Sequence, residues 1–168
     1  MMMLLEPTMR RLICASVAAV LLWGNPVGAT TLTVDHATDS HDAIPGDGIC
    51  ADIDGHCTIR SALEESNVTP VDTILISGGI GPIFLYLGTL ELQRPHLTVM
   101  GATGDAVLDG RMNPVETDVF DISGDGCVVK QVAIANSRRY GLRIRAKQVL
   151  VGDSTGPTMF YGNGLGDT

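Results

Sequence analysis

From Thr73 onward the chain is a succession of short apolar segments, each alternating in polarity and each closed off by Gly, Asp or Asn. Residues 73–76, 83–87, 97–100 and 106–108 are followed by 119–122, 132–134, 142–144 and 149–151, each reading as a strand half buried in a core. Two internal likenesses order them. Phe120 and Ile122 recur as Leu142 and Ile144 at an offset of 22 residues, about one coil of a β-helix. Lys130-Gln131-Val132 recurs as Lys147-Gln148-Val149 at an offset of 17, so either turn lengths vary between coils or this likeness joins different faces. Repeats of this kind favour a solenoid, in which each coil buries its inward row against the next. An antiparallel β-sandwich is the alternative, but two-residue hairpin turns are largely missing. The expected fold is all-β: a right-handed parallel β-helix over residues 72–168 with a short N-terminal capping helix.

Residues 1–29 read as an export signal. Arg10 and Arg11 precede an apolar run, residues 12–23, too short to span a bilayer comfortably, and Val27-Gly28-Ala29 offers small residues for cleavage. The remainder has no apolar run long enough for a membrane span. It carries one more negative charge than the −8 of the whole chain, because Arg10, Arg11 and Glu6 lie in the signal. An acidic balance of this size argues against nucleic acid or an anionic membrane as partner.

Residues 30–71 form a separate cap. The string Cys57-Thr58-Ile59-Arg60-Ser61-Ala62-Leu63 follows Gly46-Asp47-Gly48-Ile49-Cys50 and ends in Glu64-Glu65-Ser66-Asn67. It resembles the CSLREA module of secreted bacterial proteins, over roughly residues 32–76, with Ser61 where the motif has Glu. The resemblance implies a cysteine-closed acidic loop, a short helix and a following right-handed β-helix. In an oxidising compartment Cys50 and Cys57 would close the loop, adding about 2–3 kcal/mol on the chain-entropy model. A zinc site is the rival for these cysteines, but no second Cys/His pair lies at suitable spacing. Cys127, beside Val128 and Val129, reads as an unpaired core residue. Thr58 is the expected N-cap, and Ile59, Ala62, Leu63 and Ser66 share one helical face. With Ser61 in place of Glu the capping box should be weakened, and Ser61→Glu should restore it.

Candidate sites are sparse. Arg143 and Arg145 alternate with Leu142 and Ile144, so they point outward, and Asp121 lies 22 residues earlier, one coil away. With Arg138, Arg139 and Lys147 they form a basic cluster. Many enzymes of this fold are pectate lyases or polygalacturonases. A lyase needs a basic residue to take the proton alpha to a uronate carboxylate, and a polygalacturonase needs paired carboxylates. Arg143, Arg145 and Asp121 are the only catalytic candidates, and a surface ion-pair ladder is the favoured reading. No Gly-His-Gly motif of the polygalacturonase kind is present. In the acidic loop Asp47, Asp52 and Asp54 are weaker candidates for calcium, the one cofactor entertained; a solvated loop is preferred. His36, His41, His56 and His96 lack metal spacing, no Gly-x-Ser-x-Gly elbow occurs, and Tyr86, Tyr140 and Tyr161 are too scattered for a sugar platform.

The expected role is an exported non-catalytic module, adhesin-like or structural, with a polysaccharide lyase or glycoside hydrolase of the pectate-lyase-like fold as the alternative. Expected partners are an extracellular polysaccharide or a cell-surface component. The stretch from Thr158 to Gly164 reads like the opening of another coil, so the chain is expected to be truncated relative to its relatives. Self-association through an open C-terminal end would follow.

Overall fold

The computed structural model describes residues 29–154, 156 and 158–163. The expected export signal lies outside the described residues, apart from Ala29. The described residues form one helix and twelve strands. In chain order these are β1 (Thr31–Val34), α1 (Ile59–Val68), β2 (Thr73–Ile76), β3 (Ile83–Phe84), β4 (Leu90–Leu92), β5 (Thr98–Gly101) and β6 (Ala106–Asp109). β7 (Phe120–Ile122), β8 (Val128–Lys130), β9 (Val132–Ala135), β10 (Leu142–Ile144), β11 (Leu150–Val151) and β12 (Met159–Tyr161) complete them.

Every strand pairing is parallel. Three sheets run along the axis, ordered β1-β2-β5-β8-β11, β3-β6-β9-β12 and β4-β7-β10. Each coil contributes one strand to each sheet in turn, which is a parallel β-solenoid. The antiparallel sandwich is thereby overturned. Three coils are complete, and β11 and β12 begin a fourth among the described residues.

The register explains both internal likenesses. Phe120 sits beside Leu142 and Ile122 beside Ile144, so the 22-residue likeness is one coil of the β4-β7-β10 sheet. The 17-residue likeness joins different faces, since β11 stacks on β8 whereas Val132 begins β9. The pieces it relates share a local device instead: Gln131 and Gln148 both adopt positive φ just before a strand. At the corner entering the five-stranded sheet, His96, Gly126 and Gln148 stack in consecutive coils with φ of 61°, 71° and 56°. A Cβ at Gly126 would lie 2.5 Å from His96 Nδ1, so the His96 ring would have to move to admit any other residue.

Inward rows build a single core. Leu32, Ile74, Val99 and Val129 line one sheet, Ile83, Leu108 and Ile134 the second, and Leu90 and Phe120 the third, all buried. The helix face expected from spacing is the one that packs, with Ile59, Ala62, Leu63 and Ser66 all buried. Thr58 is the N-cap, but the expectation of a weakened box fails. Ser61 Oγ accepts from the Thr58 amide at 2.8 Å and Thr58 Oγ1 accepts from the Ser61 amide at 3.1 Å, so a hydroxyl closes the reciprocal pair. Cys50 and Cys57 are disulfide-bonded, and Cys127 is free and buried. Burial pushes the Cys127 thiol up from its ordinary range, consistent with a packing role.

Candidate functional site

The outward row of the β4-β7-β10 sheet is Glu91, Asp121 and Arg143, one above the next. The expected stacking of Asp121 under Arg143 is therefore present, yet their charges pair elsewhere. Asp121 is held by Arg145, with Nε to Oδ1 at 3.0 Å and Nη2 to Oδ2 at 2.8 Å. Arg143 leans toward Asp118 at 3.7 Å, and Asp118 is gripped by Arg139 through two bonds of 2.7 and 2.6 Å. The Tyr140 amide also donates to Asp118 at 3.2 Å. The result is two adjoining ion-pair groups on the second and third coils.

Electrostatics decides what these groups can do. Asp118 is 1% exposed, and burial alone would raise its pKa. Its bonds from Arg139 and the Tyr140 amide, with the charges of Arg139 and Arg143, outweigh that and hold it below the ordinary carboxylate range. A carboxylate so held stays ionised and is a poor proton donor near neutrality. Arg139 and Arg145 are correspondingly held protonated by Asp118 and Asp121. Of Arg139, Arg143 and Arg145, Arg143 is the least engaged, its contact to Asp118 being 3.7 Å.

The calcium candidates do not converge. Asp47 Oδ1 accepts from the Ile49 amide, closing its own turn. Asp52 is buried, with Oδ1 accepting from the amides of Asp54 and His56 and Oδ2 from Ser40 Oγ at 2.6 Å. Asp54 is exposed. No group of three His, Cys, Asp or Glu side chains that could hold a metal occurs among the described residues. The histidines separate likewise: His36 stacks on His56 at 4.2 Å, His41 meets Glu64 at 2.6 Å, and His96 turns a corner.

Sequence reasoning missed the residues that join cap to solenoid. Asp39 and Arg60 form an ion pair, Nε to Oδ1 at 2.6 Å, with side chains 0% and 7% exposed. Asp39 Oδ2 also accepts from the amides of Tyr86 and Leu87 at 2.8 and 2.9 Å. Arg60 donates to the carbonyls of Gly88 and Thr89 at 2.8 and 3.3 Å. Glu65, fully buried, accepts from the Gly46 and Gly48 amides at 2.5 and 2.7 Å and so pins the acidic loop to α1. Charged residues beside an apolar helical face were the available signal: Arg60 adjoins Ile59, and Glu65 adjoins Ser66.

Comparison with known proteins adds no identity: no protein family, no curated protein and no solved structure matches the chain. The geometry defines the class, a parallel β-solenoid capped at its N-terminal end by a disulfide-closed loop and one helix. Among the described residues no helix is long and apolar enough to cross a membrane.

Proposed function

We propose that this chain is an exported, non-catalytic β-helix module that presents the outward faces of its coils to an extracellular polysaccharide or cell-surface component, in an adhesin-like or structural role. The observation that carries the reading is the neutralisation of the acids on the candidate face: Asp118 by Arg139 and Asp121 by Arg145, both in close contact. Acids tied in this way add rigidity, and on this row only Glu91, stacked on Asp121, stands outside the ion pairs, which offers no second untied carboxylate for hydrolysis. Export rests on the sequence of residues 1–29, and the likeness to the CSLREA group on the string from Cys57 to Leu63. The disulfide between Cys50 and Cys57 supports an oxidising location.

The rival lyase reading draws on Arg143, the loosely held arginine. Incubation of the purified chain with polygalacturonate and calcium tests both. Release of no unsaturated product, read by absorbance in the ultraviolet, is the expected result. Turnover that disappears in Arg143→Ala or Arg145→Ala would replace the scaffold reading with the lyase.

A further inference from the structure

From His41 to Ile49 the acidic loop is exposed at every residue but one, Asp42, which is 8% exposed. The Asp42 amide donates to Glu64 Oε2 of α1 at 2.8 Å, and Glu64 Oε1 meets His41 Nδ1 at 2.6 Å. The Asp42 side chain serves the loop itself, with Oδ1 accepting from the Ile44 amide at 2.9 Å. Its other oxygen, Oδ2, is buried without a hydrogen-bond partner, the one such side-chain oxygen or nitrogen among the described residues. A carboxylate oxygen cut off from water and from any donor is costly when charged, and such a group relieves the cost by taking up a proton.

The surroundings push the same way. Burial, with the charges of Glu65 in α1 and Asp47 in the loop, raises Asp42 above the ordinary carboxylate range, although the amides of Ile44 and Ala51 favour its charged form. Glu65 is fully buried too, but its two oxygens accept from the Gly46 and Gly48 amides. Asp42 makes one such bond, so the acid short of donors is Asp42.

We propose that Asp42 is a proton-binding latch between the acidic loop and α1: the loop stays closed on the helix while Asp42 carries a proton, and loosens when that proton leaves. Ionisation would set a further negative charge beside Glu64 and Glu65 with no donor for Oδ2. Residues 43–49 bury no side chain that would resist opening, and the disulfide at Cys50 keeps the loop attached at its far end. With its folded-state pKa raised, Asp42 contributes stability that is complete below its unfolded pKa and is lost as pH rises through the folded one. This is the opposite sense to Asp118, which is held ionised, so mild acid would close the cap. The latch stands apart from the scaffold reading, which rests on the face of the β4-β7-β10 sheet.

The test is a pH series on the isotopically labelled chain. Nuclear magnetic resonance follows the Asp42 carboxyl carbon, and hydrogen exchange follows the amides of Ala43, Gly46 and Gly48, which bond to the Ala51 carbonyl and to Glu65. The carbon is expected to titrate above the ordinary carboxylate range. Over the same step, protection of the three amides, corrected for intrinsic exchange, should fall by about tenfold for each unit separating the folded midpoint from the unfolded one. Asp42→Asn keeps the acceptor for the Ile44 amide and is neutral at every pH, so it should hold the loop closed throughout. A carbon that titrates within or below the ordinary range would overturn the latch. Protection that still falls with pH in Asp42→Asn would assign the effect to His41 and Glu64 and do the same. Loss of protection at every pH in Asp42→Asn would show that the loop needs the carboxylate charge. Protection restored to the parent chain by calcium at neutral pH would make the occupant a cation in place of a proton, and would equally overturn the proposal.

Discussion

Ser61 shows how much a single side chain's surroundings decide. Its hydroxyl lies against Cys50 Sγ at 3.3 Å and Thr58 Oγ1 at 3.1 Å, and the residue is 0% exposed. A glutamate there would replace the hydroxyl by one further methylene and a charged carboxylate in a filled site. Ser61→Glu should therefore destabilise by about 2 kcal/mol or more, reversing the expectation from the motif, because an uncompensated buried charge outweighs a capping bond. Chemical denaturation of variant and parent measures it, and a stabilised variant would show that the box has room for the longer acid. Asp118 makes a second prediction at this scale. Its folded-state pKa lies below the ordinary value, so its contribution is present above the unfolded pKa and is lost as pH falls through the folded one. Stability should thus decline in the acid range below about pH 4, and Asp118→Asn should flatten that part of the profile. An identical acid limb in the variant would show that other carboxylates, such as Asp109 and Asp52, carry the effect.

At the scale of elements, α1 is seated by more than its apolar face. Arg60 reaches across to Asp39 and to two carbonyls of the turn before β4, and Asp39 answers with two amides of the same turn. Arg60→Met would leave Asp39 buried without its counter-charge and two carbonyls without a donor, a loss of about 3–5 kcal/mol. Arg60→Lys should recover only part of it, since an ammonium cannot span the carboxylate and both carbonyls as a planar fork does. A loss below 1 kcal/mol in urea unfolding would mean that the apolar face alone holds the helix. The same contrast shows how far the sequence could be read. Alternation and spacing located most strands and the helical face, because inward rows must be apolar. Leu90–Leu92 and Val128–Lys130 escaped notice because two or three outward or turn residues dilute so short an alternation. The Asp39–Arg60 pair escaped it for a different reason: a partner 21 residues away leaves no local pattern. Asp118 was missed likewise, as register alone pointed to Asp121 under Arg143 while side-chain reach paired them with other groups.

At the scale of the whole molecule, stability in a solenoid is the sum of each coil's own contribution and its stacking on neighbours. β2 is flanked by β1 and β5, and its inward residues Ile74 and Ile76 are 0% exposed. At the other end β11 has one strand partner among the described residues, and Val151, which continues the inward row above the buried Val129, is partly exposed. The inward rows open in the same direction: Ile122 is 0% exposed and its neighbour Ile144 46%, Ile134 is 0% and its neighbour Phe160 48%. Apolar area left uncovered contributes nothing to holding a coil shut, so the last coil should open at lower free energy than the first. Amide hydrogen exchange on the 168-residue chain should show protection falling from β2 through β5 and β8 to β11, with β12 exchanging faster than β9. A series over protein concentration completes the measurement. Protection of β11 and β12 that rises with concentration would mean that the exposed strand edges and the Ile144–Phe160 surface pair with a second copy. Uniform protection through Tyr161 at every dilution would refute the gradient and show that the fourth coil is as firmly held as the first.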